Sequence, residues 1–423
     1  MSDALLSSLL DDALAQTAPG RCVWVALSGG VDSTLMLHIA APLAAARGIA
    51  LRAIHINHGL QAAAATFEAH CRRACEALGV TLTVVPVTVE TDGRGIEAAA
   101  REARYRAFAE VLGEGDRLWL AQHADDQAET FLLAALRGSG VRGLGGMPAR
   151  RRARGVVVER PWLTRRRASL LAEVQRRGIA WCDDPSNADL GFDRNYLRAR
   201  VAPALSARWP GAVDALSRAA EQAREADALL EELASIDLAT AGGDPACLPL
   251  AVLNALSEAR RRLLIRHAAR RLALPLPPAA RLEELVRQCA DAAPERTPRV
   301  GWPGGEGRRW RGGLYLQAPT EPMPAGWAMR WQGNTPLTTP AKTYRWRLES
   351  SVTELPTTFT VTLRQGGETL VVEGRGRRDV KRLLQEAGVP PWERASVPLV
   401  WHADELIAVL GVATAKGWRQ LPF

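Results

Sequence analysis

Ser28-Gly29-Gly30-Val31-Asp32-Ser33 is the stretch whose reading decides the fold. The apolar run before it, Val23–Leu27, reads as a buried parallel strand. Thr34–Arg47 after it reads as a helix that carries an interior Pro42 and stops at Gly48. Strand, glycine turn and helix together bring backbone N–H groups and a helix N-terminus onto one anion. The paired glycines let the chain turn tightly and let phosphate oxygens approach without a Cβ in the way. Ser28 and Ser33 add hydroxyl donors, and Asp32 supplies a carboxylate able to hold Mg²⁺ beside the phosphates. No lysine follows, so this is not the GxxxxGK[ST] loop. A glycine turn can also serve only a tight βα connection; the strand–helix context favours nucleotide phosphates.

The rest of the composition sets limits. With 423 residues, 47% hydrophobic and 24% charged, the chain is long enough for two or three globular domains. Met1–Ala15 has leucines at helical spacing and three aspartates, but no basic region or cleavage site, so it does not read as a signal peptide. No apolar run is long enough to span a bilayer, and no membrane partner is expected. The six cysteines are scattered without a CxxC pair, which suits a reducing cytoplasm and argues against zinc or iron–sulfur ligation. The net charge of +8 is carried almost wholly by arginine, which binds phosphate bidentately and stacks on bases. Arginine richness also fits a high-GC coding bias, so local clustering says more than the total.

Residues 1–160 alternate strand and helix. Strands are expected at Val23–Leu27, Leu51–Ile56, Thr81–Val87, Arg117–Gln122 and Val156–Glu159, with helices including Ala62–Leu78 and Gly95–Leu112. That alternation predicts a parallel sheet covered on both faces, with ligands at the carboxyl ends of the strands. His55-Ile56-Asn57-His58-Gly59-Leu60 follows the second strand. Glu97 to Tyr105 carries Glu97, Arg101 and Arg104 on a helix where Glu97–Arg101 is a possible i,i+4 pair. Ala121-Gln122-His123-Ala124-Asp125-Asp126-Gln127-Ala128-Glu129-Thr130 follows the fourth strand, where Asp126 and Glu129 can form a capping box. The glycine-rich Arg137–Met147 reads as too flexible for ordinary helix.

These motifs carry a resemblance. SGGVDS resembles the pyrophosphate loop of the ATP pyrophosphatases. With HINHGL, the E…AR..RY helix, AQHADDQAET and RGSGVRGL, it occurs in the order and approximate spacing seen in the tRNA(Ile)-lysidine synthetase family. Arg160-Pro161-Trp162-Leu163, Gly178 to Asn187, Arg194-Asn195-Tyr196-Leu197-Arg198 and Val201 to Leu205 are similar to that family's RPLL…W..D.SN…RN..R..V.P.L signature. One position departs: many relatives carry two histidines where this chain has Gln122-His123. The resemblance is dense over the first 205 residues and returns in Arg364–Glu368, Lys381–Gln385 and Val389–Arg394.

Arg150, Arg151, Arg152, Arg154, Arg165, Arg166, Arg167, Arg176 and Arg177 form the densest basic patch, with Trp162 and Trp181 nearby. A charge run is usually a solvated face; beside a nucleotide edge this one suits an RNA backbone. Beyond Pro210, helices are expected at Asp214–Leu238, Pro249–Leu272 and Arg281–Cys289, followed by a loop-rich junction over Arg299–Pro340. Short β-type runs, Phe359–Leu363 and Leu370–Val372, and a helix at Arg378–Ala387 complete the chain. Its tryptophans, Trp346, Trp392 and Trp401 among them, read as core.

The resemblance implies a Rossmann-like α/β parallel-sheet ATPase domain over 1–210, a helical tRNA-binding middle domain over 211–318, and a smaller α+β tRNA-binding C-terminal domain over 319–423. It implies ATP-dependent ligation of L-lysine to the wobble cytidine of the isoleucine tRNA with anticodon CAU, through a tRNA adenylate, with ATP and Mg²⁺ as cofactors. Ser28 to Ser33 would bind ATP, Asp32 the metal, and Arg101 or Arg104 the phosphate charge. Asp126 would hold the cationic lysine, and Arg165, Arg166, Arg167, Arg194 and Arg198 would contact tRNA. The enzyme would be cytoplasmic, as a monomer or homodimer. A tRNA thiolase would need sulfur-carrying cysteines, and a non-catalytic RNA-binding protein would not need Asp32, Ser33 and Asp126.

Overall fold

Apolar runs flanked by amphipathic segments build the expected sheet. The computed structural model describes residues 2–57, 64–88, 96–291, 298–319, 323–324, 326–351 and 358–423. The chain runs α1 (Ser2–Ala15), β1 (Cys22–Ala26), α2 (Val31–Arg47), β2 (Ala50–Asn57), α3 (Ala64–Ala77), β3 (Thr81–Pro86) and α4 (Ile96–Val111). It continues β4 (Arg117–Trp119), α5 (Ala124–Leu136), α6 (Val141–Leu144), β5 (Arg150–Ala153), β6 (Val156–Glu159) and α7 (Arg167–Arg177). The six strands are ordered β3-β2-β1-β4-β6-β5. All neighbours are parallel except β5, which pairs antiparallel with β6 at the edge.

The order reverses at β1, which opens a crevice at the carboxyl ends of β1 and β4. β1 is buried on both faces, as a covered parallel strand must be: Val23 and Val25 are fully buried and Trp24 nearly so. Across the sheet, Glu159 accepts from Arg117 Nη2 at 2.6 Å and from the Trp119 indole at 3.0 Å, a buried pairing that fixes β4 against β6. The leucine stripe of α1, Leu6, Leu10 and Leu14, is buried in the core that also holds Trp162.

One unit of the chain is Met1–Leu230 and the other Glu231–Phe423. In the first, Pro185–Ala188 forms a 3₁₀ turn, and α8 (Asp193–Tyr196) runs through a π-helical stretch, Leu197–Val201, into α9 (Ala202–Arg208). Pro203 has no N–H to give the turn beneath it, which accounts for local unwinding there. α10 (Ala212–Thr240) follows. The basic run at 150–154 forms a strand and turn on which Arg150, Arg152 and Arg154 are exposed. Arg154 (φ 50°) and Gly155 (φ 83°) make the left-handed two-residue connection of the β5–β6 hairpin.

The second unit differs from expectation in two places. Pro249–Leu272 is not one helix: α11 (Leu250–Ala255) ends at an extended Leu256, and the Ser257 hydroxyl caps α12 (Glu258–Arg271) by accepting from Arg260 N. The junction at 299–340 is partly built. After α13 (Ala279–Asp291), β8 (Arg299–Trp302), β9 (Gly305–Trp310) and β10 (Gly313–Gln317) join β7 (Cys247–Pro249) in an antiparallel sheet ordered β7-β10-β9-β8. Glu306, fully buried, organises it by accepting from Arg299, Arg308 and Gln317. Residues 328–414 contribute a five-stranded antiparallel sheet, with a helix at Val380–Glu386 capped by Asp379. Trp346 and Trp401 pack on its cores, and the Trp392 indole donates to Gln317. Among the described residues no helix is long and apolar enough to cross a membrane.

Candidate active site

The glycine turn between β1 and α2 is locked by its own serines. The Ser28 amide donates to Ser33 Oγ at 3.2 Å, the two hydroxyls lie 3.0 Å apart, and Ser33 Oγ donates to the Gly30 carbonyl. Gly29 has φ +85°, and an added Cβ would sit 3.3 Å from both Cys71 Sγ and Phe67 Cδ1, so only glycine fits. Gly30 is the N-cap of α2 and makes no side-chain cap, which leaves the first N–H groups of the helix for an anion. The Cys182 amide donates to the Gly29 carbonyl at 3.0 Å, which tethers the segment carrying Asp184 over the loop.

A cavity of about 430 Å³ opens in front of this turn, at the carboxyl ends of β1, β2 and β4. It is lined by Ser28, Gly30, Asp32 and Ser33 on one side and by Arg101, Arg104 and Tyr105 of α4 on another; His55, Asn57 and Asp184 also face it. His58, Gly59 and Leu60 lie outside the described residues. So does the Glu97 side chain; Arg101 instead stacks on Tyr105, 5.2 Å from the ring centroid, with Arg151 at 4.8 Å. Gln122, at the departing position, accepts from Arg160 Nε, and Arg160 Nη1 donates to Pro148 O. Burial pushes the Arg160 guanidinium down to about 10, with Arg151 and Arg101 adding repulsion while Tyr105 opposes it. One wall of the cavity is therefore cationic.

The opposite chemistry lies on α5. His123 is its N-cap, and the capping box pairs His123 with Asp126, not Asp126 with Glu129: the His123 amide donates to Asp126 Oδ2 at 3.0 Å, and the Asp126 amide to His123 Nδ1 at 3.4 Å. His123 is buried, with Nε2 3.7 Å from Asp32 Oδ2 and 3.5 Å from Asp126 Oδ2. Burial alone would lower its pKa; the Asp32 hydrogen bond and the charges of Asp126, Asp32 and Asp125 outweigh that and raise it. Asp32 Oδ1 is buried without a partner among the described residues, which is the donor state a hard cation requires. No cluster of three or more metal-ligating side chains occurs among the described residues, so an ion here would rest on Asp32, phosphate oxygens and water.

Asp126 does not line the first cavity. Its Oδ1 accepts from Arg198 Nη2 at 3.1 Å, and Arg198 also grips Glu129 through Nε at 2.8 Å and Nη2 at 2.9 Å. Burial raises the Glu129 pKa against the lowering effect of Arg198. Asp125, Glu129, Arg167 and Arg198 line a second cavity of about 250 Å³, whose other walls are Leu132, Leu197, Pro203 and Leu216. Asp125 and Glu129 were not singled out as ligands in the sequence; the carboxylate density of AQHADDQAET was the available signal. Of the expected tRNA contacts, the Arg165 guanidinium donates to the hydroxyl of its neighbour Thr164, Arg166 pairs with Asp214 at 3.3 Å, and the Arg167 amide donates to Asp125. Arg194 donates to Thr130 Oγ1, and Arg198 belongs to the carboxylate cluster.

This geometry has counterparts. Residues 5–205 match the PP-loop domain, residues 248–315 the TilS substrate binding domain, and residues 359–422 the TilS substrate C-terminal domain. The tRNA(Ile)-lysidine synthase of Alkalilimnicola ehrlichii is 42% identical over 417 residues, covering 97% of this chain and 94% of that one. That of Xanthomonas axonopodis pv. citri is 42% identical, covering 96% and 93%. That of Pseudomonas aeruginosa is 43% identical, covering 98% and 96%. With its phosphate-binding turn at the sheet's reversal point and a likeness that runs through both units, the chain belongs to the tRNA(Ile)-lysidine synthase family, ligases built on the PP-loop.

Proposed function

We propose that this chain joins L-lysine to the wobble cytidine of the isoleucine tRNA that carries a CAU anticodon, consuming ATP and releasing AMP and pyrophosphate. A cytosine keto oxygen is a very poor leaving group. Its attack on the α-phosphorus of ATP, with pyrophosphate departing, converts it into the oxygen of bound AMP. The ε-amine of lysine then forms a C–N bond at the same carbon while the C–O bond to AMP breaks.

The observation that carries the reading is the pairing of two unlike cavities along α5 and the glycine turn. The first offers open amides, Ser28 and Ser33 hydroxyls, and the guanidiniums of Arg101 and Arg104, which suit polyphosphate and the charge that develops on it. Mg²⁺ fits the orphaned Asp32 Oδ1, and when bound it would neutralise phosphate charge. The second cavity combines carboxylates with aliphatic walls, a match for an ammonium on a methylene stem. Asp126 then acts on lysine through the cluster it shares with Arg198 and Glu129, and Arg198 is placed to meet the lysine carboxylate. Arg167, whose side chain is exposed, and Arg165, half-buried with its guanidinium on the Thr164 hydroxyl, are the members of the 165–167 run that we assign to tRNA phosphate.

Incubating the protein with ATP, labelled lysine and unmodified tRNA transcript tests the reading. Label is expected on the wobble base, in proportion to pyrophosphate released. Pyrophosphate release without label on the base would place the chain among PP-loop enzymes of another chemistry.

A further inference from the structure

A third cavity of about 530 Å³ shares no lining residue with the two already described and lies between His38 of α2, His70, Arg73 and Ala74 of α3, and Arg177 to Ala180 at the end of α7. No carboxylate lines it. We propose that this cleft is a phosphate subsite that seats one phosphodiester of the tRNA backbone behind the glycine turn. The inference rests on the tRNA reading above but concerns a surface which that reading does not use.

The first observation is an unsatisfied group in a built cleft. His70 is 9% exposed, and its buried Nε2 has no hydrogen-bond partner among the described residues. A buried ring nitrogen without a partner is costly unless a ligand supplies one. The second is charge of one sign. Arg73 is exposed at the cleft, and Arg177 is held there by Glu173, whose buried carboxylate, bound by Arg176 and Arg177, is pulled down to about 2. Burial lowers the pKa of both histidines, with Arg177 and His70 adding to the effect on His38 and Arg73 to that on His70. Beyond burial, the two arginines thus disfavour a proton on the histidines beside them, and an anion seated between these groups offsets that repulsion. His70 need not be charged, because a neutral imidazole N–H donates to a phosphate oxygen.

The cleft is adjacent to the ATP turn. A Cβ on Gly29 would lie 3.6 Å from His70 Cδ2, and the segment following Ala180 reaches the turn through the bond from the Cys182 amide to the Gly29 carbonyl. A strand of RNA gripped here would be anchored to the elements that hold the reacting phosphates.

The test compares Arg73→Ala and His70→Gln with Arg72→Ala, which removes an arginine from the same helix that pairs with Glu68 and does not line the cleft. Equilibrium binding of tRNA transcript is measured from 50 to 300 mM salt, with ATP-dependent protection of the protein from thermal unfolding as a check on the nucleotide site. Losing one phosphate contact lowers the log–log salt slope by about 0.7–0.9 and weakens binding about five- to eightfold near 0.1 M salt. That result is expected for Arg73→Ala, with a smaller loss for His70→Gln and a lesser change in slope for Arg72→Ala; ATP protection stays as in wild type. Equal slopes for Arg73→Ala and Arg72→Ala overturn the proposal. If tRNA binding is unaffected while inorganic pyrophosphate perturbs the imidazole signals of His70, the subsite takes a free anion and the RNA assignment falls. Failure of wild-type protein to bind any tRNA would instead refute the function proposed above.

Discussion

Replacing Arg198 by Met separates the structural from the chemical duties of the carboxylate cluster. The substitution keeps much of the aliphatic stem and deletes three hydrogen bonds, two to Glu129 at 2.8 and 2.9 Å and one to Asp126 at 3.1 Å. Glu129 is 4% exposed, so it is left buried without its cation. Breaking a fully buried pair costs about 3–5 kcal/mol. The Arg198 side chain keeps 34% of its accessibility, and solvent screening brings the expected loss to about 2–3 kcal/mol. For a unit of this size that is a drop in Tm of about 5–10 °C. Burial already holds the Glu129 pKa above the ordinary carboxylate range, and removing Arg198 removes its largest lowering influence. A carboxyl whose folded pKa is raised contributes stability that is fully present below its unfolded value, about 4.3, and is lost as pH rises through the folded value. The mutant's deficit should therefore shrink as pH falls from 7 towards 5, read by thermal unfolding. Adding Glu129→Gln removes the buried charge. The double variant should recover most of the lost Tm and lose the pH dependence, yet still need far more lysine for transfer. A deficit that does not change with pH, or a double variant with wild-type lysine dependence, would refute the reasoning.

Asp32→Ala should abolish pyrophosphate release while leaving tRNA binding nearly unchanged, because it removes the orphaned carboxylate oxygen and no basic group; this is checked by pyrophosphate assay and filter binding. Gly29→Ala forces a Cβ onto a left-handed residue against Cys71 and Phe67, and should cost about 1–3 kcal/mol of stability and raise the ATP needed for half-saturation. His123→Asn keeps an N-cap but removes the ionisable ring. The raised His123 pKa gives wild type a contribution fully present below about pH 6.5 and lost as pH rises through the folded value, so wild-type Tm should fall over that window and the variant's should not.

The parallel sheet was legible because its strands are buried on both faces and so are written as unbroken apolar runs, such as Val23 to Leu27. β5 was not, because an edge strand needs no apolar face: Arg150 to Arg152 read as charge, and only the hairpin turn at Arg154-Gly155 betrays them. The break between α11 and α12 was written in Ser257 three residues before Arg260, but the helical periodicity on either side concealed it. The small sheet of β8 to β10 was masked by its glycines. Gly305 and Gly307 are there because Trp302 and Leu285 occupy the space a Cβ would need, a packing fact with no local signature.

The site was legible to a different degree on its two sides. A phosphate-binding turn uses backbone amides, so its requirement is for glycines and small hydroxyls at fixed spacing, and that pattern has few other uses. Carboxylates in the first turn of a helix are ambiguous, since they stabilise any helix by opposing its dipole and capping its amides. Asp125, Asp126 and Glu129 all sit early in α5, and spacing alone cannot rank them. Tertiary partners do. Asp126 gives one oxygen to the His123 amide and the other to Arg198. Asp125 caps α7 through the Arg167 amide. Glu129 alone among the three makes no backbone cap. It is buried against Arg198 at the wall of the second cavity, with its pKa raised by that burial. A carboxylate kept dry at a cavity wall gains most from an arriving ammonium, so of the three it is Glu129 whose removal should weigh most heavily on lysine affinity relative to stability.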